Sequence, residues 1–189
     1  MAGLELATLR LRLRPFEAGD AGLLVELDRD PEVMRWINGG RAVPEEEVVK
    51  ASVPRVMAQT DALRGVGFWT ARDGASDERL GWFHIKPPRV PPGMTAAEWK
   101  LAPGEQEIGW RLVRRVWGRG LATEGARALI GFAFASLGAS RVIACAMSGN
   151  TASRRVMEKV GMRYDGEFVE DRWPLEDKGA VRYAIARQS

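Results

Sequence analysis

The stretch Glu107–Ala122 reads E-I-G-W-R-L-V-R-R-V-W-G-R-G-L-A, and the rest of the chain is organised around it. It opens as a strand, passes through a basic turn punctuated by Gly118 and Gly120, and enters a helix at about Arg119. The two glycines lack a Cβ, so the backbone can turn sharply there and bring its N–H groups close to a ligand. Those donors have no intrahelical acceptor, and the helix dipole adds partial positive charge at the same end. The turn is therefore an anion site suited to phosphate, with Arg115 and Arg119 placed to add charge-assisted bonds. Taken alone, it also reads as an ordinary strand-to-helix connection with solvated arginines.

Two absences narrow the phosphate readings. G-x-x-x-x-G-K-[ST] occurs nowhere, which argues against a Walker-type nucleotidase, and the turn lacks the full G-x-G-x-x-G of a dinucleotide fold. What it fits is R-x-x-G-x-G, carried by Arg115, Gly118 and Gly120 and followed by Ala122. This resembles the pyrophosphate-binding loop of the GNAT superfamily of acetyl-CoA-dependent N-acetyltransferases. A second segment, N-T-A-S-R-R-V-M-E-K-V-G-M from Asn150 to Met162, resembles that superfamily's N-x-x-[AS] signature followed by a Gly-Met pair. Its ends are also legible from physics: Asn150 is a good N-cap, Gly161 a good C′ residue, and Val156, Met157 and Val160 share a core-facing side.

Length and composition fit one soluble globular domain spanning residues 1–189, large enough to bury a substantial core. A net charge of +3 is too small to imply nucleic acid. The single cysteine, Cys145, excludes an internal disulfide and a cysteine-based zinc cluster, and one histidine, His84, leaves no His-rich site, so no metal is expected. No apolar run approaches the roughly 18 residues of a membrane span, and the N-terminus lacks a basic, apolar leader. A cytoplasmic protein with no membrane partner is expected.

Along the chain, Thr8 to Pro15 alternates Leu9, Leu11 and Leu13 with Arg10, Arg12 and Arg14, predicting a half-buried first strand. Short helices follow from Asp20 and from Asp30-Pro31, the second stopped by Gly39-Gly40. Pro44 and three glutamates start a helix buried through Val49, Val53, Val56 and Met57 and continuing to Thr60 and Leu63, which Pro54 should kink or split. Gly67–Arg72 and Leu80–Lys86 read as paired strands, with His84 in the second as either a hydrogen-bonded structural residue or a participant in chemistry. Pro87–Gly104 holds five of the ten prolines and the pair Trp99-Lys100, so no regular ladder runs through it. It reads as a lid or a dimer-contact loop, the alternative being simple disorder, and a homodimer is one arrangement of the protein. After the anion turn come an amphipathic helix through Leu137, an apolar strand Arg141–Met147 containing Cys145 as a small hydrophobe, the Asn150 helix, and strands over Tyr164–Glu170 and Ala180–Ala186.

This order resembles a GNAT domain over nearly the whole chain. Within the superfamily, L-R-L-R-P-F, D-P-E-V-M-R-W, W-G-R-G-L-A-T-E-G-A and the Asn150 segment most resemble the ribosomal-protein N-terminal (Rim-type) acetyltransferase branch. The resemblance implies an α/β (α+β) fold: a mixed, mostly antiparallel seven-stranded sheet splayed at the cofactor site and flanked by helices. It implies acetyl-CoA as cosubstrate, held by Trp110, Leu112 and Val113 along the strand, by Arg115, Gly118, Arg119, Gly120, Leu121, Ala122 and Thr123 at the turn, and by Asn150. The helices after the first strand, between Val33 and Arg64, would wall the amine-acceptor cleft. Many members carry a tyrosine proton donor seven residues after the motif asparagine; here that position is Met157, which cannot donate. The branch's serine is Ser153, a hydrogen-bond donor to the departing sulfur or a relay for a water proton.

Glu107 is the candidate base, because it opens the strand beside the cofactor at the place where the resembled branch often carries an acid; the alternative is a solvent-facing or salt-bridged strand glutamate. An α-amine of pKa near 8 is already roughly 10% neutral at pH 7 and a lysine below about 0.1%, so a glutamate acting through water suffices for an N-terminus or a similarly weak base. The expected activity is direct acetyl transfer to a primary amine, a protein N-terminal α-amine or similar. A small-molecule amine such as an aminoglycoside, polyamine or amino-acid derivative is the alternative acceptor. A noncatalytic acyl-CoA-binding module is the alternative class.

Overall fold

The computed structural model describes residues 3–171 and 175–187. The expected connection between the last two strands includes residues 172–174 and to that extent lies outside the described residues, as does the start of the N-terminus. One sheet of eight strands organises the molecule, in the order β1-β2-β3-β4-β5-β6-β8-β7. The strands are β1 (Leu6–Ala7), β2 (Leu11–Pro15), β3 (Gly67–Asp73), β4 (Arg79–Lys86), β5 (Gln106–Leu112), β6 (Arg141–Met147), β7 (Arg163–Val169) and β8 (Gly179–Ala186). All neighbours are antiparallel except β5 and β6, which run parallel. The eighth strand is β1, two residues long and not foreseen.

The parallel pair is what opens the sheet. β5 and β6 are in register only at Gln106↔Val142 and Glu107↔Ile143. Beyond Glu107, β5 stays paired with β4 as far as Leu112, and β6 stays paired with β8 through Met147. The two strands therefore part from Ile108 onward, and the backbone groups that would have joined them face a gap.

Helices cover both faces. α1 (Ala21–Arg29) and α2 (Pro31–Asn38) lie on the face of β4 that carries Trp82 and His84, since Arg111 bridges from that face to Asp28 of α1 and Met34 of α2. α5 (Leu121–Ala135) lies on the opposite face, where Phe83 points. Gly125 makes that approach possible: a Cβ there would sit 2.3 Å from the Phe83 ring. α5 buries Leu121, Ala126, Leu129, Ile130 and Ala133, a stripe at helical spacing. α6 (Thr151–Lys159) follows β6 and buries Met157.

Several expectations shift by a few residues, each for an identifiable reason. The first long strand starts at Leu11, not Thr8, and Leu9 is 92% exposed. Thr8 through Leu11 forms a hairpin turn closed by Thr8 N–H to Leu11 O at 2.8 Å, while Arg10 and Thr8 both bond Glu124 of α5. The helix after Pro44 does split, as α3 (Glu45–Glu47), a π-helical turn Val48–Ser52 and α4 (Val53–Ala58). The wide turn rotates the buried face by one residue, so Val48 is inside whereas Val49 and Met57 are exposed. The helix stops at Ala58, short of Thr60 and Leu63, because Asp61 accepts from the N–H groups of Leu63 and Arg64 and turns the chain. α5 begins at Leu121, two residues later than expected, with Gly120 at its N-cap.

Candidate active site

At the mouth of the opened sheet lies a cleft of about 150 Å³. Ile108, Gly109 and Trp110 of β5 form one wall, and Cys145, Ala146 and Met147 of β6 the other. Asn150, Ser153 and Met157 close one end from α6, and Trp36 and Ile37 of α2 cover it from above. His84 and Glu107 stand together on the β4–β5 side.

Glu107 and His84 meet through the sheet register rather than through sequence proximity. His84 is directly opposite Gly109, and Glu107 is opposite Lys86. Side chains two apart on a strand share a face, so Glu107 and the place left vacant by Gly109 point the same way. The His84 ring fills that place: a Cβ on Gly109 would lie 2.6 Å from its Cε1. Trp82 stacks on the imidazole at 5.8 Å between ring centres, and Phe68 meets it edge-on at 5.6 Å. His84 Nε2 then stands 3.6 Å from Glu107 Oε1, within ion-pair range and longer than a hydrogen bond. Burial holds the imidazole pKa below its ordinary value; Lys86 and Arg111 push the same way, and Glu107 opposes them. Burial alone would raise the Glu107 carboxyl, but His84, Lys86 and the Arg89 backbone N–H outweigh it and hold it below its usual range. The pair is thus a carboxylate beside a neutral imidazole.

Ser153 sits in the first turn of α6, where Asn150 Oδ1 accepts from the Ser153 backbone N–H at 3.1 Å. The cap fixes the helix start and leaves the Ser153 hydroxyl, which has no hydrogen bond among the described residues, lining the cleft. Asn150 is therefore first a capping residue, with its amide nitrogen left over for a ligand. Met157 is 1% exposed and fills the position of the missing tyrosine with an apolar side chain.

The gap beside β5 fits a hydrogen-bonding chain such as pantetheine. Val113 N–H bonds Leu80 O of β4, and pairing between β4 and β5 runs without irregularity. Alternation along the pleat then turns the N–H groups of Ile108, Trp110 and Leu112 away from β4, toward the gap. The Leu112 carbonyl on that side is taken by Trp117 Nε1 at 2.7 Å. Further along, Gly118 and Gly120 have φ of +73° and +80°, left-handed values that favour glycine. No side chain caps α5, so the N–H groups of Leu121, Ala122 and Thr123 remain available at the positive end of the helix. A Cβ on Gly118 would meet nothing within 4 Å, so the space beside the turn is open.

The arginines at this turn are less free than expected. Arg115 donates to Glu78 Oε1 at 2.7 Å and also pairs with Glu26, while Arg114 pairs with Asp30 at 3.2 Å. Arg119 presents its carbonyl to Arg10 Nη1 at 2.8 Å, and its side chain is exposed. Arg10 is the basic residue that sequence reasoning missed here, brought to the turn by its bonds to Glu124.

Other contributors were also hidden. Trp82, Trp99, Phe168 and Glu170 line the cleft from β4, the proline-rich segment, β7 and the residue after it. The proline-rich segment is irregular, as expected, yet it is pinned: Arg182 of β8 stacks on Trp99 at 4.2 Å and donates to its carbonyl. Arg182 and Arg141 share Asp165, and Arg141 reaches Glu105 at 3.0 Å. The one available sequence signal was the glycine inside the E-I-G-W strand, since a strand glycine marks a close approach. Among the described residues no group of three His, Cys, Asp or Glu could hold a metal, and no helix is long and apolar enough to cross a membrane.

Comparison with known proteins fits this arrangement. Residues 10–163 match the family described as Acetyltransferase (GNAT) domain. The FsC-acetyl coenzyme A-N(2)-transacetylase of Aspergillus fumigatus (strain ATCC MYA-4609 / CBS 101355 / FGSC A1100 / Af293) is 33% identical over 186 residues, covering 97% of this chain and 76% of its own. A GNAT-family acetyltransferase from Bacillus anthracis superposes with a TM-score of 0.75 at 25% identity, over 97% of this chain and 98% of that one. The aminoglycoside acetyltransferase AAC(6')-Ib, solved with coenzyme A, shares the fold with a TM-score of 0.70 at 23% identity, over 94% and 95% of the two chains. Acetyl-CoA is the cosubstrate, and this chain belongs to the GNAT family of N-acetyltransferases.

Proposed function

We propose that the protein transfers acetyl from acetyl-CoA directly to a primary amine of α-amine basicity, with Glu107 accepting the amine proton and the Ser153 hydroxyl hydrogen-bonding the departing sulfur. The observation that carries this reading is the presence of an ionised Glu107 and an uncommitted Ser153 hydroxyl in one cleft, where β5 and β6 part. Acetyl-CoA supplies the activated acyl group. The chain's own residues do the rest. The free N–H groups of Ile108 and Trp110 orient a pantetheine arm along β5, and the uncapped start of α5, with Arg115 and Arg119 beside it, takes the pyrophosphate. Asn150 fixes the turn of backbone that presents Ser153. Trp36, Trp82, Trp99 and Trp110 give the cleft flat apolar walls that exclude water.

On the acceptor, a small-molecule amine is favoured by the cleft's volume of about 150 Å³ and its aromatic lining, in which Trp99 is pinned by Arg182. The Aspergillus relative, similar across nearly the whole chain, is named for transfer at an N(2) position. A protein N-terminus, the acceptor implied by likeness to the Rim-type branch, is the second reading, supported by Ser153 occupying that branch's serine position. Its first residue would have to enter alone.

The test is thiol release from acetyl-CoA across a panel of amino-acid amides, polyamines, aminoglycosides and N-terminal peptides, set beside calorimetry of acetyl-CoA. Glu107→Gln should lower turnover by about 10² or more while leaving acetyl-CoA affinity unchanged. The loss should shrink as pH rises toward the acceptor's own pKa, where solution supplies neutral amine. Near-equal turnover of the two proteins from about pH 6 to 9 would remove Glu107 from the reaction. Binding of acetyl-CoA without turnover on any amine would favour the noncatalytic module.

A further inference from the structure

We propose that His84 and Glu107 accept one proton between them, the imidazole acting through the carboxylate as the store for the proton taken from the acceptor ammonium. This rests on the reading of Glu107 as the base and adds a positioning residue to it. The geometry sets a ring nitrogen against a carboxylate oxygen: Nε2 and Oε1 are 3.6 Å apart, too far for a hydrogen bond and close enough to share a proton after a small contraction. Both ring nitrogens of His84 are sealed from solvent and have no hydrogen-bond partner among the described residues. A purely structural buried histidine is expected to be satisfied. Here the ring is held by Trp82 and Phe68 in a space that Gly109 keeps open. The fold thus maintains an unpaired imidazole against Glu107.

The charged groups facing the pair set its resting state. Lys86 stands opposite Glu107 on β4, Arg111 lies two residues beyond Gly109 on β5, and Arg89 comes from the proline-rich segment. Glu170 and Cys145 line the same cleft from the β7 and β6 sides. Burial and the cations disfavour an imidazolium, while Glu107 favours it. With hydrogen on Nδ1, the Nε2 lone pair faces the carboxylate and the pair is one proton short. An N–H bond of the bound ammonium breaks, and its proton passes to Glu107 Oε1 and is then shared with His84 Nε2 as an imidazolium beside a carboxylate. The amine lone pair forms the C–N bond, and the C–S bond breaks with its electrons leaving on sulfur. A second N–H proton ends on that sulfur as the thiol, and the stored proton goes to water after product release.

Because His84 is the sole histidine of this 189-residue chain, its ring protons give one resolvable imidazole titration by NMR. That titration should have its midpoint below the ordinary value of about 6.5 and fall further in Glu107→Gln. With phenylalaninamide as acceptor, the acid limb of kcat/KM should coincide with the NMR midpoint of the wild type. His84→Gln should shift that limb away from the wild-type midpoint, since the Glu107 carboxyl alone then sets it, and lower the plateau by about tenfold or more, with acetyl-CoA affinity retained. A His84→Gln profile with wild-type limb and plateau overturns the proposal, and a His84 titration indifferent to Glu107→Gln does so without needing an acceptor or a folded His84 variant. If Glu107→Gln keeps full turnover, the base assignment fails as well. If Glu107→Gln is inactive while His84→Gln behaves as wild type, only the proton store fails.

Discussion

Replacing Gly109 with alanine isolates the space on which the His84–Glu107 arrangement depends. The added Cβ would lie 2.6, 3.0 and 3.2 Å from Cε1, Nε2 and Nδ1 of His84, so the ring must recede by about 0.8 Å to reach an ordinary 3.4 Å contact. It has little room, with Trp82 stacked at 5.8 Å and Phe68 edge-on at 5.6 Å. Overpacking of this kind costs about 1–3 kcal/mol. In a domain of this size each kcal/mol lowers Tm by about 2–4 °C, so a fall of roughly 2–12 °C is expected. Gly131→Ala is the control: it lies within α5, a Cβ there meets nothing within 4 Å, and the change should stabilise by about 0.4–1 kcal/mol. Urea denaturation of the three proteins, with turnover per folded molecule measured alongside, separates the outcomes. Gly109→Ala should be destabilised and slowed, since displacing the ring disturbs its approach to Glu107. If Gly109→Ala is as stable as Gly131→Ala and as active as wild type, the ring is not confined as described and the reasoning fails.

Two further changes address the cofactor turn and the fold. Gly120→Val forces a β-branched residue to φ +80° against Arg10, and Arg115→Ala takes a cation from the turn and leaves Glu26 and Glu78 without it, so calorimetry should show weaker acetyl-CoA binding in both; unchanged affinity in a folded Gly120→Val protein would refute the pyrophosphate assignment. Asp20 is fully buried and accepts from Arg14, Arg79 and Thr70; burial would raise its carboxyl pKa, and those donors hold it below the usual value instead. A depressed folded pKa means its contribution is complete above the unfolded value of about 3.9 and is lost as pH falls through the folded one. Asp20→Ala should therefore cost about 3–5 kcal/mol at neutral pH, with the gap to wild type narrowing in strong acid; a gap that stays constant with pH would contradict the ion-pair account.

What the sequence determined was local. The glycine turn before α5, the Asn150 cap, the Pro31 start and Gly39 stop of α2, and the strands β3 to β6 all follow from backbone preferences and periodicity within a few residues, which packing did not override. Glu107 and Ser153 were legible because each lies in a short motif, and the structure brings both to one cleft. What only the tertiary structure decided was partnership. His84 meets Glu107 because the antiparallel register of β4 and β5 sets it opposite Gly109, and a slip of one residue would have sent it to the other face. Arg115 is shared between Glu26 and Glu78 because α1 and the start of β4 converge on the turn. Trp99 enters the cleft from a segment without periodicity because Arg182, distant in sequence, supplies a buried cation for its ring and carbonyl. Local rules fix which way a backbone turns; which side chains then face one another depends on strand register and on burial, and both are properties of the assembled sheet.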